Sequence, residues 1–317
     1  MTNDLFEKFK NIRELSILAI IIVFSFILRF LTPYFLTYDN LKTVAIGLSA
    51  DGIIAIGMTI ALISGGFDLS VGSVMALSGV TTATLYAGGF NIWLAVLIGL
   101  LISALCGLVN GYFIGKVGLN PFITTLGMMG IARGIAYIIT EGAYISLYDV
   151  SNVFSSLGGG DIFSIPFIVL IFIMIACFAD FSLRKSSPLR KVFYTGSNEE
   201  AAILSGINTQ KVKLYVFVLT AILAGIAGIL TLSRFQVATP TAGTGAELRV
   251  ISAAVIGGAS LKGGEGTIFG AVLGVILLNI INNALILLNV SVYSQELVNG
   301  VVLISAVTLD YLSHKSK

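Results

Sequence analysis

The side chains able to do covalent chemistry are few and far apart. The single histidine, His314, lies in a charged tail that offers no triad or metal cluster around it. Cys106 and Cys177 fall inside apolar runs and read as small core hydrophobes, not as a disulfide or metal framework. No Gly-x-x-x-x-Gly-Lys-Ser/Thr loop is present to cradle nucleotide phosphates, because Lys116 is followed by Val117 and Lys262 by Gly263. The expectation is therefore a non-enzyme with no catalytic residue, no metal and no cofactor of its own. Any ATP and Mg²⁺ would sit on a partner chain.

What remains is charge and hydrogen bonding on apolar walls, the chemistry of solute passage. Asn110, Asn120, Thr124, Thr125, Asn282 and Asn283 are the sparse polar groups that could touch a small polar solute. Each could equally cap a helix or join two helices. Gly65-Gly66-Phe67-Asp68-Leu69-Ser70 breaks two apolar runs, either as a tight turn or as a gate, with Asp68 or Ser70 placed to cap the next helix. Asp51 and Arg133 lie inside proposed spans, each about seven residues, or roughly 10 Å, from the outer boundary. At that shared depth they either pair with each other or separately face a wet cavity or backbone carbonyls.

The elements that hold these residues follow from composition. With 56% hydrophobic and 11% charged residues in 317, the chain lacks the polar surface to coat a soluble globule, so lipid must cover it. A crossing helix needs about 20 apolar residues. That length predicts an all-α membrane protein of about ten transmembrane helices, at 16–32, 44–63, 70–87, 92–114, 121–140, 165–181, 213–233, 248–260, 267–288 and 294–312. The eighth is too short for a plain crossing and is expected to be tilted, broken or re-entrant, sheltered by protein. Residues 1–15 and 313–317 are the flanking segments, and 182–212 is the one long charged loop.

Ten crossings place both ends on one side. Lys8, Lys10, Arg13, Lys116, Arg184, Lys185, Arg190, Lys191, Lys211, Lys213, Lys262, Lys315 and Lys317 then fall together, 13 of 18 basic residues. The opposite loop 141–163 has Glu141, Asp149 and Asp161 and no Lys or Arg. The positive-inside rule makes the chain N-in, C-in. Two glycine ladders, Gly107, Gly111, Gly115 and Gly266, Gly270, Gly274, mark faces where backbones approach closely, as ordinary packing seams or as moving or dimer-forming ones.

Within 182–212, Asn198 or Ser197 can cap a short helix, Glu199 and Glu200 suit the positive end of its dipole, and Gly206 can stop it. That helix would present Ala201, Ala202, Ile203 and Leu204 between Gly196 and Gly206 for docking. The loop, with Ile63 to Ser73, Asn110-Gly111, Asn120 to Gly134, Thr239 to Leu248 and Ile256 to Thr267 in that order, resembles the permease subunits of ribose, xylose and autoinducer-2 importers driven by ATP-binding cassettes. The resemblance covers about residues 45 to 310 and implies a homo- or heterodimeric pore, a partner ATPase subunit, an external solute-binding protein and a place in the bacterial inner membrane. It implies that 182–212 seats on the ATPase and that a sugar is the solute. A nucleoside or branched-chain amino acid permease is the nearest alternative. An ion-coupled secondary transporter, with Asp51 and Glu247 as its ion-binding acids, is a rival of another class.

Overall fold

The computed structural model describes residues 2–315, with side-chain surroundings given between Glu14 and Asp310 except at positions 292, 296 and 309. Lys8, Lys10, Arg13, His314, Lys315 and Lys317 lie outside the described side chains. Thirteen α-helices appear in chain order among the described residues: α1 (Thr2–Leu31), α2 (Tyr38–Ile63), α3 (Val71–Ala87), α4 (Ile92–Tyr112), α5 (Pro121–Thr140), α6 (Asn152–Gly159), α7 (Phe167–Lys185), α8 (Ser187–Ser197), α9 (Glu199–Leu204), α10 (Thr209–Phe235), α11 (Ala246–Ile256), α12 (Ile268–Leu287) and α13 (Val292–Lys315). Four two-residue strands add two small antiparallel pairings: β1 (Ile145–Ser146) with β4 (Val237–Ala238), and β2 (Asp161–Ile162) with β3 (Ile165–Pro166). Among the described residues, seven helical segments are long and apolar enough to cross a membrane, so the chain is a multi-pass, mostly helical membrane protein.

Burial separates a protein-facing core from a lipid-facing shell. α2 and α10 are largely buried from Leu48 to Ile63 and from Val216 to Ser233, whereas α1, α5 and α7 expose rows of large apolar side chains such as Phe30, Ile138 and Phe178. A helix that is apolar all round belongs in a bundle centre, and one with an exposed apolar face belongs against acyl chains. Cys106 is buried, but Cys177 lies on the exposed face of α7 and is not the core residue that its apolar neighbours suggest.

The glycine ladders are seams within the chain. A Cβ at Gly107 would lie 2.5 Å from the Phe217 carbonyl oxygen, and one at Gly111 2.7 Å from Leu214 Cα, so the ladder seats α4 against α10. Gly270 and Gly274 do the same for α12 against α11, where added Cβ atoms would meet Gly257 O and Ala253 O at 2.0 Å each. Gly266 lies outside this seam, in the turn before α12, against Ile63 and Ala259.

Predicted spans and observed helices agree within a few residues for most of the ten, although seven of the described helical segments are long and apolar enough to cross, and α5 begins at Pro121 with Asn120 accepting from the Phe122 N–H at 2.8 Å. The short eighth span is α11, 11 residues long. At 1.5 Å per residue it covers only about 16 Å, half a bilayer.

Candidate functional site

Three regions hold the sequence-predicted residues. The first is the turn between α2 and α3. Gly65 takes φ +85°, which a side chain resists. Asp68, fully buried, accepts from the Ser70 N–H at 2.8 Å and from the Ser70 hydroxyl through the same oxygen. Ser70 is the residue before α3 but makes no side-chain cap, so Asp68 closes an Asx turn instead of capping the helix as expected. Asn110 on α4 donates to Ser70 Oγ at 3.1 Å and to Asp68 Oδ2 at 3.4 Å. Burial pushes the Asp68 carboxyl above its usual range, and the donors from Ser70 and Asn110 oppose that shift. This cluster stitches the turn to α4. Asn110 is completely buried, so it holds the bundle together here and lines no accessible surface.

Other proposed lining residues make structural hydrogen bonds of their own. Thr124 and Thr125 donate back to Asn120 O at 3.0 Å and Pro121 O at 2.8 Å, within their own helix. Asn283 exchanges amide hydrogen bonds with Asn40 at 2.8 and 3.0 Å, tying α12 to α2. Asn282 differs, because its buried Oδ1 has no hydrogen-bond partner and it lines a small cavity with Asp51, Arg249 and Asn279.

The second region is the charged loop. It folds as two helices where one was expected. α8 starts at Ser186, whose hydroxyl accepts from Leu189 N–H, with Pro188 in its first turn. α9 follows the expected design, with Asn198 accepting from Ala201 N–H at 2.9 Å and Gly206 ending it at φ +79°. Glu199, Glu200 and Ala201 are exposed and Leu204 is 90% exposed, but Ala202 turns inward and is not part of the presented face. Lys213 pairs with Glu199 at 2.7 Å. Behind the helix a cavity of about 460 Å³ reaches Ser64, Gly66, Asn120 and Phe217, so α9 and the α2–α3 turn share one end of the molecule.

At that end Gly196 is wedged between two other turns. A Cβ there would lie 1.8 Å from Ile63 O and 2.8 Å from the Gly264 nitrogen. Gly264 N–H itself donates to Ile63 O at 2.9 Å, closing the junction. Gly263 and Gly264, at φ +87° and +77°, complete it. The end of α8 thus touches both the turn after α2 and the turn between α11 and α12.

The third region holds the intramembrane charges. Asp51 and Arg133 do not pair. Asp51 on α2 meets Arg249 on α11, with Nε at 3.1 Å and Nη2 at 3.4 Å in a two-pronged contact. Arg133 on α5 donates to the carbonyl oxygens of Pro240 and, at 2.8 Å, Ala242. Equal depth did not make neighbours of them, because α11 stands beside α2 and brings its own cation.

Among the described residues no group of His, Cys, Asp and Glu could hold a metal ion. Residues 40–307 match the family described as "Branched-chain amino acid transport system / permease component". The chain belongs to this permease family. It is therefore the membrane component of an importer whose ATPase is a separate subunit. Among curated relatives, the permease is 40% identical over 287 residues to the L-arabinose transport system permease protein of Escherichia coli K12, covering 90% of this chain and 86% of that one. It is 37% identical over 307 residues to the ribose import permease protein of Haemophilus influenzae, covering 96% and 95%. The D-allose transport system permease protein of Escherichia coli K12 is 37% identical over 301 residues, covering 94% and 91%. No solved structure matches the permease.

Proposed function

We propose that the permease carries a monosaccharide across the bacterial cytoplasmic membrane as half of a dimeric pore, driven by a separate ATP-binding cassette subunit and supplied by an extracytoplasmic binding protein. The permease crosses ten times, with both termini and α8–α9 in the cytosol. ATP-driven closure of the ATPase subunits presses on α9, and a rigid-body shift of the spans exposes the passage to the cytosol.

The observation that carries this reading is the seat of Gly196. A cytosolic handle moves a bundle only if it touches several helices without slack, and backbone-to-backbone contact with both Ile63 and Gly264 supplies that. The nearly bare Leu204 at the other end of the handle gives the partner an apolar knob. Leu204→Asp is expected to lower solute-stimulated ATP hydrolysis of the reconstituted complex about tenfold, the factor equivalent to about 1.4 kcal/mol of lost docking energy. Membrane insertion should be unchanged. Full stimulation in this variant rejects the handle.

The arabinose, ribose and allose relatives favour a sugar, whereas the family description favours a branched-chain amino acid. Identity over nearly the whole length of the sugar permeases is the more specific of the two. Competition of uptake by D-ribose, L-arabinose and L-leucine in cells carrying the full system separates them, and competition by leucine alone rejects the sugar.

A further inference from the structure

The motif Thr239-Pro240-Thr241-Ala242-Gly243-Thr244-Gly245 is left unexplained by the handle, and its placement is unusual. β4 pairs with β1 at the end of the molecule opposite α9, and from there the backbone runs without helix until α11 begins at Ala246. Its depth can be read from α10. Gly228 lies seven residues from the Phe235 end of that helix, roughly 10 Å at 1.5 Å per residue. An added Cβ at Gly228 would meet Met75 O at 2.1 Å, and the same Met75, through its sulfur, lies 3.0 Å from a Cβ built on Gly243. Gly243 O is 2.2 Å from a Cβ built on Gly72. The non-helical segment therefore descends into the membrane interior beside α3.

Irregular backbone at such depth persists only where protein satisfies it or where it lines a wet cavity. The first condition is met, and the segment also lines a cavity. Arg133 takes the carbonyls of Pro240 and Ala242, and Arg249, anchored on Asp51, donates to Thr244 O at 3.3 Å. Two arginines, costly in a membrane, fix one short piece of chain. That piece forms a wall of a cavity of about 460 Å³, otherwise made by Met75, Ala76, Gly79 and the last turns of α10. The cavity is mostly apolar, and Thr231 and Thr239 are the hydroxyl-bearing residues among those that line it. Thr239 Oγ1 lies 2.9 Å from Thr241 Oγ1, which orients its hydroxyl. Sparse hydroxyls on apolar walls suit a neutral polyol, which has apolar C–H faces and a rim of donors and acceptors, and they would hold no ion or carboxylate.

We propose that the segment Thr239–Gly245, pinned by Arg133 and Arg249, is the solute-contacting wall of the passage, and that Thr231 and Thr239 read the hydroxyls of the sugar in transit. The inference rests on the sugar-import reading and adds the place where the permease itself discriminates among solutes. Its test is uptake of D-ribose and of 2-deoxy-D-ribose into proteoliposomes containing the full complex with saturating binding protein and ATP. Thr239→Val keeps the volume of the side chain and removes its hydroxyl. It is expected to shift the ratio of the two uptake rates by about threefold, the size of one lost neutral hydrogen bond. An equal fall for both sugars indicates a structural role and overturns the proposal, as does no change. Thr239→Cys in a Cys177→Ser background gives a second measurement. A small impermeant thiol reagent should label it and block uptake, and labelling with uptake intact also overturns the proposal. Failure of the sugar reading looks different, because the unsubstituted complex would then move neither sugar.

Discussion

At the residue scale, Arg133 and Arg249 do different work, and Arg133 takes the backbone-carbonyl alternative to pairing with Asp51. Arg133 serves backbone carbonyls, whereas Arg249 serves a carboxylate, and both hold the same non-helical segment. The Asp51–Arg249 pair keeps 21% and 27% side-chain exposure, so it is neither fully dry nor screened as at a surface. Removing one partner of a fully buried pair costs ~3–5 kcal/mol, and a surface pair is worth ~0–1, which brackets this one at about 1–3 kcal/mol. Arg249→Met and Asp51→Asn are each expected to lower the melting temperature in detergent and to reduce uptake. The swap Asp51→Arg with Arg249→Asp should recover part of both losses, because the contact is mutual. A double-mutant cycle with no coupling energy would show that the two act independently.

At the element scale, the helices whose signals are local were legible and those that depend on neighbours were not. Asn198, Glu199, Glu200 and Gly206 spell the start and stop of α9, and the structure uses Asn198 and Gly206 in just those roles. α8 was missed although Ser186 and Pro188 mark its start and Leu189, Val192 and Phe193 stand at helical spacing, because its 11 residues are too short and too basic to register as a span. α6, eight residues long and capped by Ser151, lies in the loop 141–163 and is likewise too short to register as a span. Arg249 was not singled out in the sequence, since nothing there says that α11 brings it beside Asp51. Asp68 was seen as a cap but closes a turn, a distinction set by Asn110, 42 positions away. The glycine junction at Gly196 is likewise long-range, although Gly65 was visible as a break and Gly196 as the bound of a docking helix. It yields a prediction at this scale. Gly196→Ala places a methyl 1.8 Å from Ile63 O, so the three turns must part. Overpacking of this kind costs about 1–3 kcal/mol. The ATPase should still co-purify, because Leu204 and α9 are untouched, while solute-driven uptake falls severalfold. Normal uptake would show that the junction transmits nothing.

At the scale of the whole molecule, sidedness turns on which short elements cross. Between the N-terminus and α9 stand α1, α2, α4, α5 and α7, all long and apolar, and α3, which has only 17 residues. If α3 crosses, six passes put the N-terminus on the side of α9; without it the two lie on opposite faces. Beyond α9 stand the long α10 and α12, together with α11 and α13. If the stretch Thr239–Gly245 lengthens α11 into a full pass and α13 also crosses, four passes return the C-terminus to the same face. Charge agrees with this count, since loop 141–163 is free of Lys and Arg whereas 182–212 is rich in them. In a Cys177→Ser background, an impermeant thiol reagent added to right-side-out vesicles should label Tyr148→Cys, whose native side chain is 77% exposed, and should spare Leu204→Cys. Inside-out vesicles should reverse the pattern, and there protease should remove tags at both termini. A protected N-terminal tag would take α3 out of the count, and a protected C-terminal tag would leave just one of α11 and α13 as a crossing. Labelling of Leu204→Cys from outside would place the handle beyond the reach of a cytosolic ATPase and end the import mechanism.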